Sequence, residues 1–272
     1  MTVTVSVLCS VRNGGDVLES AISSVLQQSH KDITLLIVND ASVDKTTDVL
    51  DRYAARDSRV KILTNSVSKG LTRSLNMALA LVDTPWVARI DHDDLWHTKK
   101  LEKQLLYLKS HPHIGLLGTA YQELHSDVSG QLIDAILPLC QTDEEIRKAL
   151  YQFNPFFHSS IMVKRELIQK VGGYNEQFVY AQDYELWVRL LSLTKAAILP
   201  EILCYRRVGA ENISIRKERS QRRNALRSKL LWTKLNGYQK ILLPAVVRDL
   251  AVIVTPKMIK SVIRKKLHSR TG

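Results

Sequence analysis

The first 90 residues alternate between short apolar runs and stretches of helical periodicity, and this alternation limits the fold more than any other feature. Residues 3–8, 33–38, 60–63 and 86–90 read as strands, because each is a continuous apolar or β-branched run too short for a buried helix. Between them, Leu18, Ala21, Ile22, Val25 and Leu26 recur at helical spacing, as do Val49, Leu50, Tyr53 and Ala54 and the stretch 69–81. A β-α-β-α-β-α-β order within about 90 residues predicts a parallel, Rossmann-like sheet. Ligands of such sheets bind outside the carboxyl ends of the strands.

Polar clusters sit where those strands end: Arg12-Asn13-Gly14-Gly15-Asp16, Asn39-Asp40-Ala41-Ser42 and Asp91-His92-Asp93-Asp94. The last holds three carboxylates in four residues. Two unit charges about 5 Å apart at an effective dielectric of about 20 repel by roughly 3 kcal/mol. A cation relieves that repulsion, and hard oxygen ligands suit Mg²⁺ or Mn²⁺ bridging carboxylates to phosphates. The same spacing also fits a solvated acidic turn ahead of a helix at 97–110.

Beyond residue 110 the pattern changes. Residues 114–121 and 132–137 read as strands with no regular helix between them, so this half is expected to be mixed α/β. A short helix at 143–150, a strand at 158–163 and a helix at 165–171 follow, the last closed by Gly172-Gly173. A helix at 184–193 carries Leu186, Trp187, Leu190 and Leu191 on one face, and 197–205 reads as the last strand.

Charge divides the chain in two. Residues 216–272 hold 16 Lys and Arg against 2 Asp and Glu, a balance of +14, whereas residues 1–215 hold 23 against 25, a balance of −2. Leu243, Val247, Leu250, Val254, Ile259, Val262, Ile263 and Leu267 approximate one helical stripe, with Arg248, Lys260, Arg264 and Lys265 largely opposite. That pattern predicts a basic amphipathic helix on an anionic membrane surface; packing against the rest of the chain, or a dimer contact, is the other reading. Pro244, Pro256 and Arg248-Asp249 interrupt the apolar runs, which argues against a membrane span. Cys9, Cys140 and Cys204 are too few and too scattered for a disulfide framework or a zinc site, and the amino terminus lacks a basic leader. Both point to a cytoplasmic protein, peripheral at the inner face of the membrane.

Several stretches together resemble glycosyltransferase family 2, inverting enzymes of the GT-A fold that use nucleotide sugars. They are residues 5–28, 35–47, 70–76, 88–104, 158–174, 181–190 and 205–214, in that order. The resemblance implies a catalytic domain over 1–215, with a nucleotide-sugar half at 1–110, an acceptor half at 111–215 and the basic tail at 216–272. It implies that Asp40 contacts the nucleotide base, that Asp91 and Asp93 match the D-x-D pattern holding ribose and divalent metal, and that Asp183 is the catalytic base. Asp183 also suits a helix N-cap. Arg89, His158 and the pair Arg206-Arg207 match positions near the diphosphate or the acceptor. The implied reaction transfers a single sugar, with Mn²⁺ or Mg²⁺, from a UDP-sugar to a glycan or lipid-linked acceptor in polysaccharide synthesis. Asn39 and Gln182 replace acidic residues usual in the family, which leaves the base and the sugar open.

Two rival readings remain at this stage. A nucleotidyltransferase would share the sheet and the metal, but Arg12-Asn13-Gly14-Gly15 is a poor phosphate loop. A nucleic-acid-binding protein would explain the basic tail, but aliphatic residues recur between its charges and no recognised module is visible.

Overall fold

The computed structural model describes residues 4–125, 132–208, 217–237 and 242–254. Strands β1 (Val5–Val11), β2 (Ile33–Asn39), β3 (Val60–Thr64) and β4 (Trp86–Arg89) run parallel in the order β3-β2-β1-β4. Helices α1 (Leu18–Leu26), α2 (Thr46–Arg56) and α3 (Leu71–Leu79) make the connections. This is the parallel half expected from the alternation.

The sheet continues as a mixed one. β8 (Met162–Lys164) inserts antiparallel between β4 and β6 (Ile114–His125); β9 (Lys195–Val208) lies parallel to β6, and β5 (Leu95–Trp96) closes the edge antiparallel to β9. β7 (Leu132–Ile136) pairs with the far end of β6. β5 escapes a pattern reading because two residues carry no periodicity; only its pairing with β9 defines it. The strand expected at 158–163 begins instead as a 3-10 turn, His158–Ser160, and pairs only from Met162.

Strand residues alternate between two cores. Val5, Val7, Cys9 and Val11 face one layer with Leu18, Ile22 and Val25 of α1, and with Leu101 and Leu108 of α4 (Lys100–Ser110). Leu8, Leu36 and Val38 face the other, with Leu75 of α3, α5 (Asp143–Ala149), α6 (Arg165–Lys170) and α7 (Gln182–Leu190). Gly172 and Gly173 stop α6 at φ 76° and 74°, backbone that glycine adopts without a Cβ penalty. All three cysteines are buried, free thiols.

The tail does not begin as a free appendage. α8 (Glu218–Asn236) sends Trp232, 1% exposed, into the second core, where its indole N–H donates to the Arg147 carbonyl at 3.1 Å. Asn224 Nδ2 donates to the Tyr180 carbonyl at 2.9 Å. α9 (Leu242–Val254) packs on α8 around Asp249, fully buried and paired with Arg222, Lys229 and Arg248. The boundary expected at residue 215 therefore precedes a helix that shares the core of the chain before it. Of the expected stripe, Leu243, Val247, Leu250 and Val254 are 45–71% exposed on α9, and the part beyond residue 254 lies outside the described residues.

Candidate active site

Parallel pairing brings the carboxyl ends of β1, β2, β3 and β4 side by side, so their loops converge. Asn13 at φ 53° and Ala41 at φ 56° turn the first two loops, which lock together: Asn13 N–H donates to Ser42 Oγ at 3.0 Å and Val43 N–H to Asn13 Oδ1 at 2.9 Å. Gly14 lets the β1 loop meet the acidic loop closely. A Cβ added there would stand 2.3 Å from His92 Cδ2.

Asp40 is 3% exposed and accepts from four donors of the loop after β3: Asn65 Nδ2 at 2.8 Å, Ser68 Oγ at 2.7 Å, Lys69 N–H at 2.7 Å and Gly70 N–H at 2.9 Å. Burial pushes its carboxyl up, but these bonds outweigh it and hold it below the ordinary carboxylate value. A carboxylate has about four acceptor positions, so Asp40 is committed to shaping the 65–70 loop. That role was not legible in the sequence.

The acidic cluster is organised by Arg89 and Ser159, both buried. Arg89 Nη2 pairs with Asp91 Oδ1, and Arg89 Nη1 donates to Ser159 Oγ at 3.2 Å. Ser159 Oγ accepts the Asp91 N–H at 2.9 Å and gives its one hydrogen to Asp94 Oδ2 at 2.5 Å. Arg207, on β9, donates its backbone N–H to Asp94 Oδ1 at 3.1 Å and its Nε to the Asp93 carbonyl at 3.1 Å. Burial pushes Asp91 up, but Arg89 beside it wins and holds it well below the ordinary value. Burial and the charge of Asp91 push Asp93 and Asp94 up, Asp94 the further. Arg89 thus pairs with one of three carboxyl groups, and Arg207 meets the loop at the Asp93 carbonyl.

That imbalance tests whether a divalent cation fits. The Asp93 carboxylate takes no hydrogen bond from another described residue, and its proton affinity is raised by the negative charge beside it. Among the described residues no three His, Cys, Asp or Glu side chains are arranged to hold a metal by themselves. A Mg²⁺ or Mn²⁺ held by one or two carboxylates, with substrate phosphates and water completing its shell, matches this donor set.

Asp183 lies in the first turn of α7, two residues after the N-cap Ala181, which takes left-handed backbone at φ 52°. Asp183 is therefore not the cap. Asn154 Nδ2 donates to its Oδ2 at 2.7 Å. Burial pushes the Asp183 carboxyl up, while the Tyr184 N–H, the Arg89 charge and Asn154 oppose it without cancelling it. The charge of Arg89 thus acts at both the acidic loop and the Asp183 carboxyl. Tyr174 is also under the fields of Arg89, Asp183 and Asp91, and its hydroxyl stands 2.8 Å from His158 Nε2. Burial, then Arg89, drives His158 well below its ordinary value, so it is neutral.

The structure thus gathers Arg89, Asp91, Asp93 and His158 in one network under the field that also reaches Asp183. Arg206 is turned aside, paired with Glu123 across β6 at 3.2 Å; Arg207 is the neighbour that reaches the acidic loop. Sequence reasoning missed Ser159, Asn154 and Tyr174. Asn154-Pro155 carried a turn signal, and Ser159 and Tyr174 lay inside the matching stretch 158–174, but nothing in their side chains alone pointed to these contacts.

Comparison with known proteins agrees with this geometry. The profile for Glycosyl transferase family 2 matches residues 6–172. Putative glycosyltransferase EpsE of Bacillus subtilis is 34% identical over 188 residues, covering 68% of this chain and 66% of that protein. Amylovoran biosynthesis glycosyltransferase AmsE of Erwinia amylovora is 30% identical over 201 residues, 74% of each chain. The WfaP protein of Escherichia coli, a UDP-Glc:alpha-D-GlcNAc-diphosphoundecaprenol beta-1,3-glucosyltransferase, is 26% identical and covers 82% of this chain and 86% of its own. S. aureus TarS 1-349 in complex with UDP-GlcNAc superposes with a TM-score of 0.69 at 16% identity, covering 92% of this chain and 71% of its own. The mannosyltransferase PcManGT of Pyrobaculum calidifontis, in complex with GDP-Man and Mn²⁺, gives 0.66 at 16% identity, covering 100% of this chain and 81% of its own. These neighbours share the GT-A fold. With the profile spanning the parallel half, the acidic loop and the Ser159 hub, the chain belongs to glycosyl transferase family 2.

Proposed function

We propose that the protein is an inverting glycosyltransferase that moves one sugar from a UDP-sugar to a glycan or lipid-linked acceptor. One observation carries the reading: buried Arg89 pairs with Asp91 in a cluster of three carboxyl groups, while a separate carboxyl, Asp183, is held at 2.7 Å by Asn154. Asp183 is the base. It removes the acceptor hydroxyl's proton as that oxygen bonds to the anomeric carbon and the bond from that carbon to the diphosphate oxygen breaks. The nucleoside diphosphate leaves from the opposite face, so the configuration inverts. A positioned base contributes about 10²–10⁴-fold.

Asp91 and Asp93 are the carboxylates that would hold Mn²⁺ or Mg²⁺, which supplies charge neutralisation on the leaving diphosphate. Arg89 orients Asp91, and Asp40 holds the 65–70 loop against the nucleoside. His158 keeps the Tyr174 hydroxyl fixed near the acceptor. Arg206 lies further out, at the rim of the acceptor half. The UDP donor is supported by the TarS complex with UDP-GlcNAc, and the lipid diphosphate acceptor by the specificity that the name of WfaP states.

An anionic membrane surface is the partner of the tail. No helix among the described residues is long and apolar enough to cross a membrane. α9 instead offers Leu243, Val247, Leu250 and Val254 beside α8, whose exposed residues include Arg223 and Lys234. Arg222, Lys229 and Arg248 are already committed to Asp249, which weakens the case for nucleic acid. The test is a panel of UDP- and GDP-sugars, with and without Mn²⁺, read by nucleotide release and by the anomer formed. Release from a UDP-sugar with an inverted product supports the proposal; no release from any donor overturns it.

A further inference from the structure

Besides the backbone N–H of Tyr184, Asp183 is held by one side chain among the described residues. Asn154 Nδ2 donates to Asp183 Oδ2 at 2.7 Å, and the other end of the same amide is fixed, because Asn154 Oδ1 accepts the Phe156 N–H at 3.2 Å. An amide whose oxygen faces an N–H can present only its NH₂ to the carboxylate. Pro155 follows and confines the Asn154 backbone to extended conformations. The Phe156 N–H therefore sets the direction of the bond, and Pro155 limits the backbone that carries it.

We infer that Asn154 is a positioning residue for sugar transfer, clamping one oxygen of Asp183 so that the other is presented to the incoming hydroxyl. This rests on Asp183 being the base. The charged and titratable groups acting on Asp183 are Arg89 from β4, Tyr174 from the segment after α6 and Tyr184 from α7. None of them supplies a side-chain hydrogen bond to the carboxylate; Asn154 does. Because the Asn154 bond favours the ionised form, removing it leaves burial less opposed, and the Asp183 carboxyl rises. A base works only when ionised, so the acid limb of the rate profile moves to higher pH.

Asn154→Asp is the informative variant. It keeps the shape and the acceptor for the Phe156 N–H, and replaces the donor by a second carboxylate. Asn154→Ala removes the donor without adding charge. Three readouts apply to each: the carboxyl ¹³C titration of Asp183, assigned as the resonance missing from Asp183→Asn; the pH profile of nucleotide release from a UDP-sugar; and the affinity for UDP with Mn²⁺. The expected result is a titration raised by about one pH unit or more in Asn154→Asp, and by less in Asn154→Ala. Nucleotide release should fall more at low pH than at high pH, with UDP affinity unchanged. An unmoved titration, or a rate loss uniform across pH, overturns the inference. If Asp183→Asn itself releases nucleotide at the native rate, the base assignment fails; the ¹³C titration then still reports whether Asn154 holds the carboxylate.

Discussion

Ser159 Oγ donates to Asp94 Oδ2 at 2.5 Å from 65 positions further along the chain. The hydroxyl has one hydrogen and two acceptor sites, and the acceptor sites take the Asp91 N–H and Arg89 Nη1. Ser159→Ala leaves those buried donors, and one carboxyl oxygen, without their partner. The expected cost is about 1–3 kcal/mol of stability, read by denaturant titration, with weaker binding of UDP in Mn²⁺. Unchanged stability and binding would remove Ser159 from the organising role.

Asp93 is the half-buried member of the cluster whose carboxylate takes no hydrogen bond from another described residue. Chelation should stop transfer, and Mn²⁺ or Mg²⁺ should restore it. Asp93→Ala should lose the metal-dependent part of UDP binding while keeping its melting temperature, since the change relieves repulsion among neighbouring carboxylates. Full activity in EDTA contradicts the metal assignment.

Asp183→Asn should keep UDP affinity and lose about 10²–10⁴-fold in turnover. Burial raises the native carboxyl, so the acid limb of the rate profile should lie above the ordinary value of 3.8. An α-linked donor should yield a β-linked product, which NMR of the isolated product decides.

Lys100 gives a pH signature unrelated to catalysis. Its side chain is fully buried, with Nζ 2.8 Å from Gln104 Oε1 and 4.0 Å from the Trp96 ring centroid. Burial pulls its pKa from 10.5 down to about 8. Between those values the unfolded chain binds the proton and the folded chain does not, so stability should rise with pH across that window. It should be lost again as pH falls through about 8. Lys100→Met should abolish the rise; denaturant titrations at pH 7.5 to 10 check it.

Two tail substitutions separate packing from attachment. Trp232→Ala empties a fully buried indole site and should cost about 3–5 kcal/mol. Val247→Ser with Leu250→Ser, on the exposed face of α9, should leave melting unchanged and reduce sedimentation with phosphatidylglycerol vesicles. Retention of full vesicle binding by that double variant counts against the membrane surface.

The sequence was most legible where periodicity was long. The four parallel strands and their helices followed from alternation, and the clustering of Asp91, Asp93 and Asp94 at the end of β4 from their spacing. Order among distant segments was not legible. That Ser159 would complete the acidic loop, or that Asn154 would grip Asp183, depends on β8 entering beside β4, and no local pattern encodes that pairing. Charge counting misled at the tail: a +14 segment looks separable, yet Trp232 and Asp249 are packed inside, and their burial outweighs the net charge in fixing where α8 and α9 lie.

The insertion of β8 between β4 and β6 has a consequence for how the chain can be divided. β4 is bordered by β1 on one side and β8 on the other, and β8 arrives more than 70 residues later in the chain. A fragment ending near Ser110 would leave one edge of β4 with unpaired amide and carbonyl groups beside an acidic loop that lacks its Ser159 and Arg207 partners. Open edges of that kind pair with other copies. Residues 1–110 are therefore not an independently expressible unit, and on the ribosome the acidic loop gains its Ser159 and Arg207 partners only after the later strands have been synthesised.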